Sequence, residues 1–338
     1  MKELLRELCL TDGVSGDESA VRDYIISKIK GHCDYNIDPL GSLICFCKGK
    51  KVADKKVMIC AHMDEVGFIV TYINDDGTLC FAPVGGINTG VVLGRQVKIG
   101  KNKLSGVVGS TAVHNLSKEQ REKAPEFDSM YIDFGASTKE EAEKYVSLGD
   151  NIYFDSEYTD MGCEIKAKAI DDRAGCAMMI RMILEQPEYD TYFVFNVQEE
   201  IGLRGSGASA FTVAPDYAIV LESTTAADID GASDAKKVCC LGKGPVVSFM
   251  DRSTLYNKKL YKLAFDTASE IGVPCQTKTM IAGGNDAGAI HSSRGGVKTI
   301  AVSVPCRYLH SASCVINASD FDASYSLVKA LSERIHEL

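Results

Sequence analysis

Short apolar runs that end in charged side chains recur along this chain and predict the strands of a sheet. One run, Tyr192–Val197, is followed by two adjacent carboxylates, Glu199 and Glu200, and then by Gly202. A run of this length bounded by glycine is typical of a buried strand. Ligands of open α/β sheets bind at the carboxyl ends of strands, so the paired acids indicate a charge-binding site, most simply for a metal ion. A solvated glutamate pair that opens a loop has the same pattern.

Four other apolar runs lead to possible ligands, which suggests that several strands contribute to one site. In chain order, the run over 57–60 leads to His62 and Asp64, the run over 164–170 to Asp171 and Asp172, the run over 217–221 to Glu222, and the run over 298–304 to His310. A single aspartate at such a place is often only a helix cap. Parallel neighbouring strands lie about 5 Å apart, so their ends can bring these side chains together.

Two further sequence patterns predict a helix start near Ser15 and a second, β-rich unit. Ser15, three residues before Glu18, resembles a capping box and predicts a helix start there. Short segments punctuated by glycine, Asn-Asp and Asp-Gly predict a small, mostly β unit from 68 to 164, and the α/β pattern continues on both sides of it. We therefore predict an α/β fold with a discontinuous main domain over 1–65 and 164–338 and an inserted β-rich domain over 66–163.

Length, composition and charge restrict the class of protein. The 338 residues exceed the roughly 250 to 300 at which a single core stops growing, in agreement with a second unit. The net charge of −9 argues against nucleic acid as the main partner, because no basic block is present to neutralise phosphates. No apolar run approaches the roughly 18 residues of a membrane span, and the first ten residues have an amphipathic pattern unlike a signal peptide. We expect a cytoplasmic protein with no membrane partner.

The thirteen cysteines favour buried, reduced thiols. They are odd in number, scattered and never spaced C-x-x-C, and the only close groups are Cys45-Phe46-Cys47 and Cys239-Cys240. In a reducing cytosol such residues usually pack in the core, so we favour this interpretation over a thiolate zinc site or disulfides.

A dinucleotide site is a poor interpretation of the glycine motif that follows the paired glutamates. The segment Gly205–Ala210 matches G-x-G-x-x-A, but it lies several residues past the strand end. Glu199 and Glu200 stand between, where anionic side chains would repel a pyrophosphate.

The candidate side chains together suit a pair of metal ions. They are His62, Asp171 or Asp172, Glu199, Glu200, Glu222 and His310. Nitrogen and carboxylate ligands without thiolate fit zinc, cobalt or manganese. Two histidines and three acids are enough for two ions that share one carboxylate, and a further acid could act as general base on water. This is the pattern of a two-metal hydrolase.

Five motifs resemble those of the M42 family of cocatalytic metallo-aminopeptidases, which includes bacterial glutamyl aminopeptidase and the archaeal tetrahedral aminopeptidases. They are AHMDEVG at 61–67, IDDRAG at 170–175, QEEIGLRG at 198–205, GGNDAGAIH at 283–291 and PCRYLHS at 305–311. They stand in the order and spacing of the family and span essentially the whole chain. The resemblance implies a mixed central sheet flanked by helices, as in zinc aminopeptidases, and an enzyme that removes N-terminal residues from peptides.

The resemblance also implies a ligand set for two divalent metal ions, zinc or cobalt, with manganese as an alternative. In this sequence His62 and Glu222 would hold one ion, Glu200 and His310 the other, and Asp171 would bridge them and form a cis peptide bond with Asp172. Two positions depart from the family pattern. Glu222 stands where the family usually has aspartate, and Asn285 stands where threonine is commoner.

The catalytic roles implied by the resemblance fall on two further acids. Glu199 would be the general base that takes a proton from water and passes it to the leaving amine, and Asp64 would be the partner of His62. The inserted domain would be a dimerisation domain, and dimers could assemble into a hollow dodecamer that admits peptides with a free N-terminus. His114, within that domain, is better explained as a structural or interface residue than as a ligand.

Three other functions share part of this pattern. An N-acyl-amino-acid deacylase would use the same metal chemistry but would not need a free amine on its substrate. A non-catalytic peptide-binding scaffold has no reason to keep Glu199 beside the ligands. A glycoside hydrolase needs two carboxylates roughly 5 to 9.5 Å apart across the substrate, which adjacent glutamates do not easily provide.

Overall fold

The computed structural model describes residues 1–338, except for the side chain of Ala235. Over these residues the helices are α1 (Lys2–Leu10), α2 (Ser19–Ile29), α3 (Lys118–Arg121), α4 (Lys139–Ala142), α5 (Ile170–Leu184), α6 (Arg204–Val213), α7 (Lys258–Glu270), α8 (Ala287–Ile290) and α9 (Ala318–His336). The strands are β1 (Asp34–Ile37), β2 (Leu43–Cys47), β3 (Val57–His62), β4 (Gly67–Ile73), β5 (Leu79–Val84), β6 (Gln96–Ile99), β7 (Leu104–Ser110), β8 (Met130–Asp133), β9 (Asn151–Phe154), β10 (Thr159–Asp160), β11 (Glu164–Ala167), β12 (Thr191–Asn196), β13 (Tyr217–Thr225), β14 (Val246–Val247), β15 (Gln276–Thr277), β16 (Lys298–Arg307) and β17 (Cys314–Asn317).

A large mixed sheet forms the centre of the fold. Its strand order is β1-β2-β12-β3-β13-β16-β17-β11-β10, and β14 and β15 extend it beside β16. The four middle strands, β12, β3, β13 and β16, are parallel. Strands buried on both faces have nearly continuous apolar sequences, which is why the apolar runs predicted them. The predicted α/β architecture with a mixed central sheet and helices is confirmed.

One of the predicted strand ends is wrong in detail. The run over 164–170 does not end in the sheet beside the parallel strands, because β11 stops at Ala167 and pairs antiparallel with β17. Ala169 adopts a left-handed conformation, with φ of 55°, and Ile170 begins α5. Asp171 and Asp172 therefore lie at the beginning of α5, where their own backbone angles are non-helical, and do not directly follow a strand.

The chain between β3 and β11 folds into a closed barrel of six strands in the order β4-β5-β8-β7-β6-β9. Its apolar core is separate from the core of the main sheet. Phe68 is central to the barrel core, with ring centroids of Phe81 and Phe154 at 5.1 and 5.2 Å in edge-to-face geometry. The proposed domain boundaries at 65/66 and 163/164 enclose this barrel.

Among the described residues, none of the helices has both the length and the apolar composition needed to cross a membrane.

Replacement of Phe68 by alanine should destabilise the barrel strongly. The side chain is fully buried, so its removal leaves a cavity between two rings and should lower the free energy of unfolding by about 3 to 5 kcal/mol. Val107→Ala, in the same barrel but with Val107 46% exposed, is the matched control and should cost no more than about 0.5 kcal/mol. Urea unfolding followed by circular dichroism measures both variants. Equal losses would contradict the role of Phe68 in this core.

Candidate metal centre

His62 is the last residue of β3, and its ring is held in a defined orientation. Nδ1 lies 2.9 Å from the carbonyl oxygen of Asp64 and 3.4 Å from Asp64 Oδ1. Both atoms are hydrogen-bond acceptors, so Nδ1 carries a hydrogen, and a neutral ring would offer the lone pair of Nε2 to a cation. Nε2 points at two carboxylates, 3.5 Å from Asp171 Oδ1 and 3.8 Å from Glu222 Oε2.

His310 is oriented in the same way as His62, with Nδ1 held by a backbone oxygen and Nε2 directed at two carboxylates. It lies in the loop between β16 and β17, and its Nδ1 donates to the carbonyl oxygen of Gly86 at 2.8 Å. Nε2 is 3.4 Å from Asp171 Oδ2 and 3.4 Å from Glu200 Oε2. Gly86 follows β5, so a loop of the barrel orients a side chain of the main sheet. Gly85 before it has φ of +89°, which favours glycine.

Asp171 is the shared member of two groups of possible ligands. One group contains His62, Asp171 and Glu222, and the other contains Asp171, Glu200 and His310, with the ligand atoms of each group within 4.8 Å of one another. The two carboxylate oxygens of Asp171 face different histidines. The peptide bond between Asp171 and Asp172 is cis, and the backbone N–H of Ser223 donates to Asp171 Oδ1 at 3.2 Å.

The residues fit divalent metal ions. His62 Nε2 and Glu222 Oε1 are buried and have no hydrogen-bond partner among the described residues. A buried polar atom without a partner is costly, and a bound cation would supply one. Imidazole nitrogen and carboxylate oxygen without thiolate are the donors that zinc, cobalt and manganese accept.

Protons replace cations on these groups when no metal ion is bound. Burial raises the pKa of Glu200 to about 7, and burial raises the pKa of Glu222 well above its usual value. Burial alone would lower the pKa of His310, but hydrogen bonding to Asp171 and the charge of Glu200 raise it to about 10. A divalent cation at this place would reverse these directions, because it favours ionised carboxylates and neutral imidazoles.

Glu199 lies next to the ligands without belonging to either Asp171 group. It forms a third group with His62 and Glu200, again with one ligand atom of each residue within 4.8 Å. Burial raises the pKa of Glu199 well above its usual value, and the charges of Asp286 and Glu200 raise it further. A carboxylate beside metal ligands is the kind of group that can act as a general base.

Asp64 connects His62 to the segment that carries the paired glutamates. Its buried carboxylate accepts hydrogen bonds from the backbone N–H groups of Glu199 and Glu200, at 3.0 and 3.1 Å, and from Ser15 Oγ at 2.6 Å. Burial would raise the pKa of Asp64, but the hydrogen bond from His62 and these donors lower it. Asp64 is therefore an ionised acceptor that fixes the positions of three candidate side chains.

Ser15 does not cap a helix as its sequence context predicted. α2 begins at Ser19 with Glu18 at its N-cap position and without a side-chain cap. The Ser15 hydroxyl bonds to Asp64 instead, and Glu18 accepts the backbone N–H of Gln198 at 3.1 Å. Both residues therefore support the segment before Glu199.

A buried arginine ties the start of α5 to the end of β3. Arg173, two residues after Asp171, donates to the carbonyl oxygens of Met63 at 2.8 Å and Leu8 at 2.5 Å. Met63 lies between His62 and Asp64. The helix that carries Asp171 and the turn that follows His62 are thus held by one guanidinium.

Sequence reasoning missed a polar cluster behind the ligands. Asn196 Nδ2 donates to Asp286 Oδ2 at 2.8 Å, and Ser209 Oγ donates to Asn196 Oδ1 at 2.8 Å. All three residues are completely buried. The one signal in the sequence is an asparagine within an apolar strand. Asn285 fixes the same loop, because its Oδ1 accepts the backbone N–H of Ala287 at 2.9 Å.

The glycine motif after Glu200 has a packing role. A Cβ atom on Gly205 would lie 2.6 Å from the carbonyl oxygen of Val197, so α6 could not pack this closely on the end of β12 with any larger residue. This contact explains the glycine without a phosphate ligand. His114 lies in an exposed turn of the barrel and joins none of the three groups found among the described residues.

The sequence of this chain matches the family model described as M42 glutamyl aminopeptidase over residues 41–327. It is 40% identical to a putative aminopeptidase of Acetivibrio thermocellus, over 99% of this chain and 98% of the relative. It is 34% identical to lysyl aminopeptidase of Pyrococcus furiosus, over 98% of this chain and 97% of the relative. It is 31% identical to glutamyl aminopeptidase of Lactococcus lactis subsp. cremoris, over 97% of this chain and 94% of the relative.

Solved structures with the same fold include peptidases and proteins described as endoglucanases. A TET aminopeptidase of a marine sediment Thaumarchaeota archaeon has a TM-score of 0.94 at 32% identity, covering 99% of this chain and 96% of that one. The Pyrococcus horikoshii TET1 peptidase, described as assembling into a tetrahedron or a large octahedral shell, has a TM-score of 0.87 at 32% identity, covering 98% of both chains. The endoglucanase of Thermotoga maritima has a TM-score of 0.81 at 37% identity, covering 98% of this chain and 97% of that one.

M42 aminopeptidases depend on metal ions, and this chain has groups of acidic and histidine side chains that could hold them. The chain belongs to the M42 family of aminopeptidases and is a peptide-hydrolysing enzyme.

Proposed function

We propose that this enzyme removes N-terminal residues from peptides at a centre of two divalent metal ions. The observation that carries the proposal is the position of Asp171, whose Oδ1 faces His62 at 3.5 Å and whose Oδ2 faces His310 at 3.4 Å. In this arrangement Asp171 would bridge the two ions. His62 and Glu222 would complete the ligands of one ion, and Glu200 and His310 would complete those of the other. Zinc or cobalt is the proposed metal, and manganese is the alternative.

When bound, such ions lower the pKa of water toward neutrality and polarise the carbonyl group of the scissile peptide bond. Glu199 takes the proton from the attacking water and passes it to the nitrogen of the leaving amine. Its position beside the candidate ligands supports this role. Asp64 holds the backbone of Glu199 and the ring of His62, so that the base and one ligand keep a fixed separation.

A glycoside hydrolase is disfavoured by the same geometry, although structural relatives carry the description endoglucanase. The two carboxylates of such an enzyme stand about 5 to 9.5 Å apart on opposite sides of the sugar bond. Here oxygen atoms of Glu199 and Glu200 lie within 4.8 Å of each other and of His62. The names of the curated relatives also favour an aminopeptidase over an N-acyl-amino-acid deacylase.

We propose that the barrel, as an inserted domain over 66–163, is the surface through which two subunits associate, and that dimers can assemble further. Exposed apolar side chains on this unit support the proposal: Val113 is 66% exposed, Leu148 63% and Tyr145 55%. Exposed apolar residues of this size favour burial against a partner. The assembly described for the Pyrococcus horikoshii relative is of the same kind. A closed shell would admit peptides and exclude folded proteins.

Replacement of Glu199 by glutamine should abolish turnover and leave metal binding intact. Glutamine keeps the shape of the side chain but cannot accept the proton, so kcat should fall by about 10² to 10⁴. The assay is peptide hydrolysis with zinc or cobalt, together with elemental analysis of bound metal. Glu143→Gln, which changes an exposed glutamate of the barrel, is the control and should keep full activity. Unchanged hydrolysis would refute the assigned base, and loss of metal would identify Glu199 as a ligand.

Hydrolysis should require a free amino terminus. A site lined by Glu199, Glu200 and Glu222 favours a substrate ammonium or amine, and an acetyl group removes its charge and donors. Discrimination by a site that binds a donor group can reach on the order of 10⁴ in kcat/KM. Chromatographic measurement of the amino acid released from matched free and N-acetylated peptides tests this expectation. Faster cleavage of the N-acetylated peptides would point to a deacylase.

A further inference from the structure

Three cysteines near the edge of the main sheet form a cluster outside the metal centre. β1 and β2 are antiparallel, with Asp34 opposite Phe46 and Tyr35 opposite Cys45. Cys33 immediately precedes β1 at a bend, and continuing this register by one residue would bring it opposite Cys47. Opposed residues in an antiparallel pair point to the same face, and residues two apart on one strand share a face as well. The cluster therefore consists of Cys33, Cys45 and Cys47.

The three thiols differ in access to solvent. Cys45 and Cys47 are buried, with 0% and 1% exposure, whereas Cys33 is half-buried. All four residues of the adjacent strand β1 are exposed at the edge of the sheet. A small solute can therefore reach Cys33 from solvent but has no direct route to the other two thiols.

Within the cluster the pKa of Cys33 is lowered, whereas the pKa values of Cys45 and Cys47 are raised. Interaction with the thiols of Cys45 and Cys47 lowers the pKa of Cys33 to about 4, against the opposing effect of burial. The same interaction and burial raise the pKa of Cys45 and of Cys47. Accessible cysteines that are largely thiolate and stand beside a second thiol are the ones that oxidants modify reversibly.

Strand geometry selects the partner of Cys33. A directly opposed pair has a Cα separation of about 4.5 to 5.5 Å, which lies inside the roughly 4.4 to 6.8 Å range of disulfides. Cys45 is diagonal to Cys33, where Cα atoms are about 7 to 8 Å apart and too distant for a relaxed disulfide. Among the described residues, the groups of side chains close enough to share a metal ion do not include these three cysteines. This observation favours a disulfide over a metal site.

We propose that Cys33 is a peroxide-reactive residue that forms a reversible disulfide with Cys47. In the first step the Cys33 thiolate attacks one oxygen of hydrogen peroxide, the O–O bond breaks, and the departing hydroxide takes up a proton to become water. Cys33 is now a sulfenic acid, oxidised by two electrons. In the second step Cys47 attacks the Cys33 sulfur, the S–S bond forms, the S–O bond breaks, and a second water molecule leaves with the proton of Cys47. A small-molecule thiol restores both cysteines by exchange.

The reaction takes place away from the metal centre. Cys47 pairs with Thr191 at the beginning of β12, whereas Asn196, at the other end of that strand, pairs with His62. The disulfide would join the edge strand β1 to β2 without moving the ends of β12 and β3 that carry the site. Peptide hydrolysis should therefore be the same in the reduced and the oxidised protein.

In the test, the full-length, metal-loaded enzyme is treated with hydrogen peroxide, and dimedone captures any sulfenic acid. Mass spectrometry then maps the disulfides and the dimedone adducts. Wild type and Cys45→Ser should form the Cys33–Cys47 disulfide, and dithiothreitol should reverse it. Cys47→Ser should carry dimedone on Cys33, and Cys33→Ser should give neither product. Cys163→Ser, which removes an exposed cysteine outside the cluster, is the matched control and should behave as wild type.

Retained circular dichroism and peptide hydrolysis establish that each variant is folded, and Cys33→Ala replaces Cys33→Ser if the hydroxyl disturbs the edge of the sheet. The proposal is overturned if Cys163 is oxidised in preference to Cys33, if Cys33 joins Cys45 in the wild-type protein, or if no disulfide forms.

Discussion

Electrostatic repulsion among buried carboxylates is the constraint around which this structure is organised. Asp171, Glu199, Glu200 and Glu222 all contribute oxygen atoms to groups less than 4.8 Å across. Two like charges 4 Å apart repel by about 4 kcal/mol at the effective dielectric typical of a protein surface, and by more in a drier interior. The acids can be ionised together only if positive charge lies between them, supplied by protonated histidines or by metal ions. Burial raises the pKa of Glu222 well above its usual value, and the charges of the neighbouring acids raise it further.

The scaffold brings these acids and the two histidines together from five separate parts of the chain. The parallel strands β3 and β13 place His62 and Glu222 side by side, since Val220 pairs with Cys60 two residues earlier on each strand. Asp64 binds the backbone that carries Glu199 and Glu200. The barrel contributes the backbone oxygen of Gly86, which fixes the ring of His310. The main sheet and the barrel therefore meet at one site. A substrate bound between them could be enclosed there.

The sequence allowed the central sheet and the members of the site to be predicted, because both depend on local patterns. Apolar runs give buried strands, and charged residues at their ends are conspicuous. Asp171 was placed at a strand end although it begins α5, because the left-handed Ala169 that separates β11 from the helix has no sequence signal. Ser15 was assigned to a cap although it bonds Asp64, because the competing acceptor lies 49 residues away. The Asn196–Asp286 contact and the closure of the barrel likewise depend on distant parts of the chain.

The bridging role of Asp171 is the central claim, and a crystal structure of the metal-loaded enzyme tests it most directly. Anomalous scattering at the absorption edge of the bound metal locates each ion independently of the protein atoms. The account predicts two ions, one between Asp171 Oδ1 and His62 Nε2 and the other between Asp171 Oδ2 and His310 Nε2. A single ion, or two ions of which only one contacts Asp171, would contradict it.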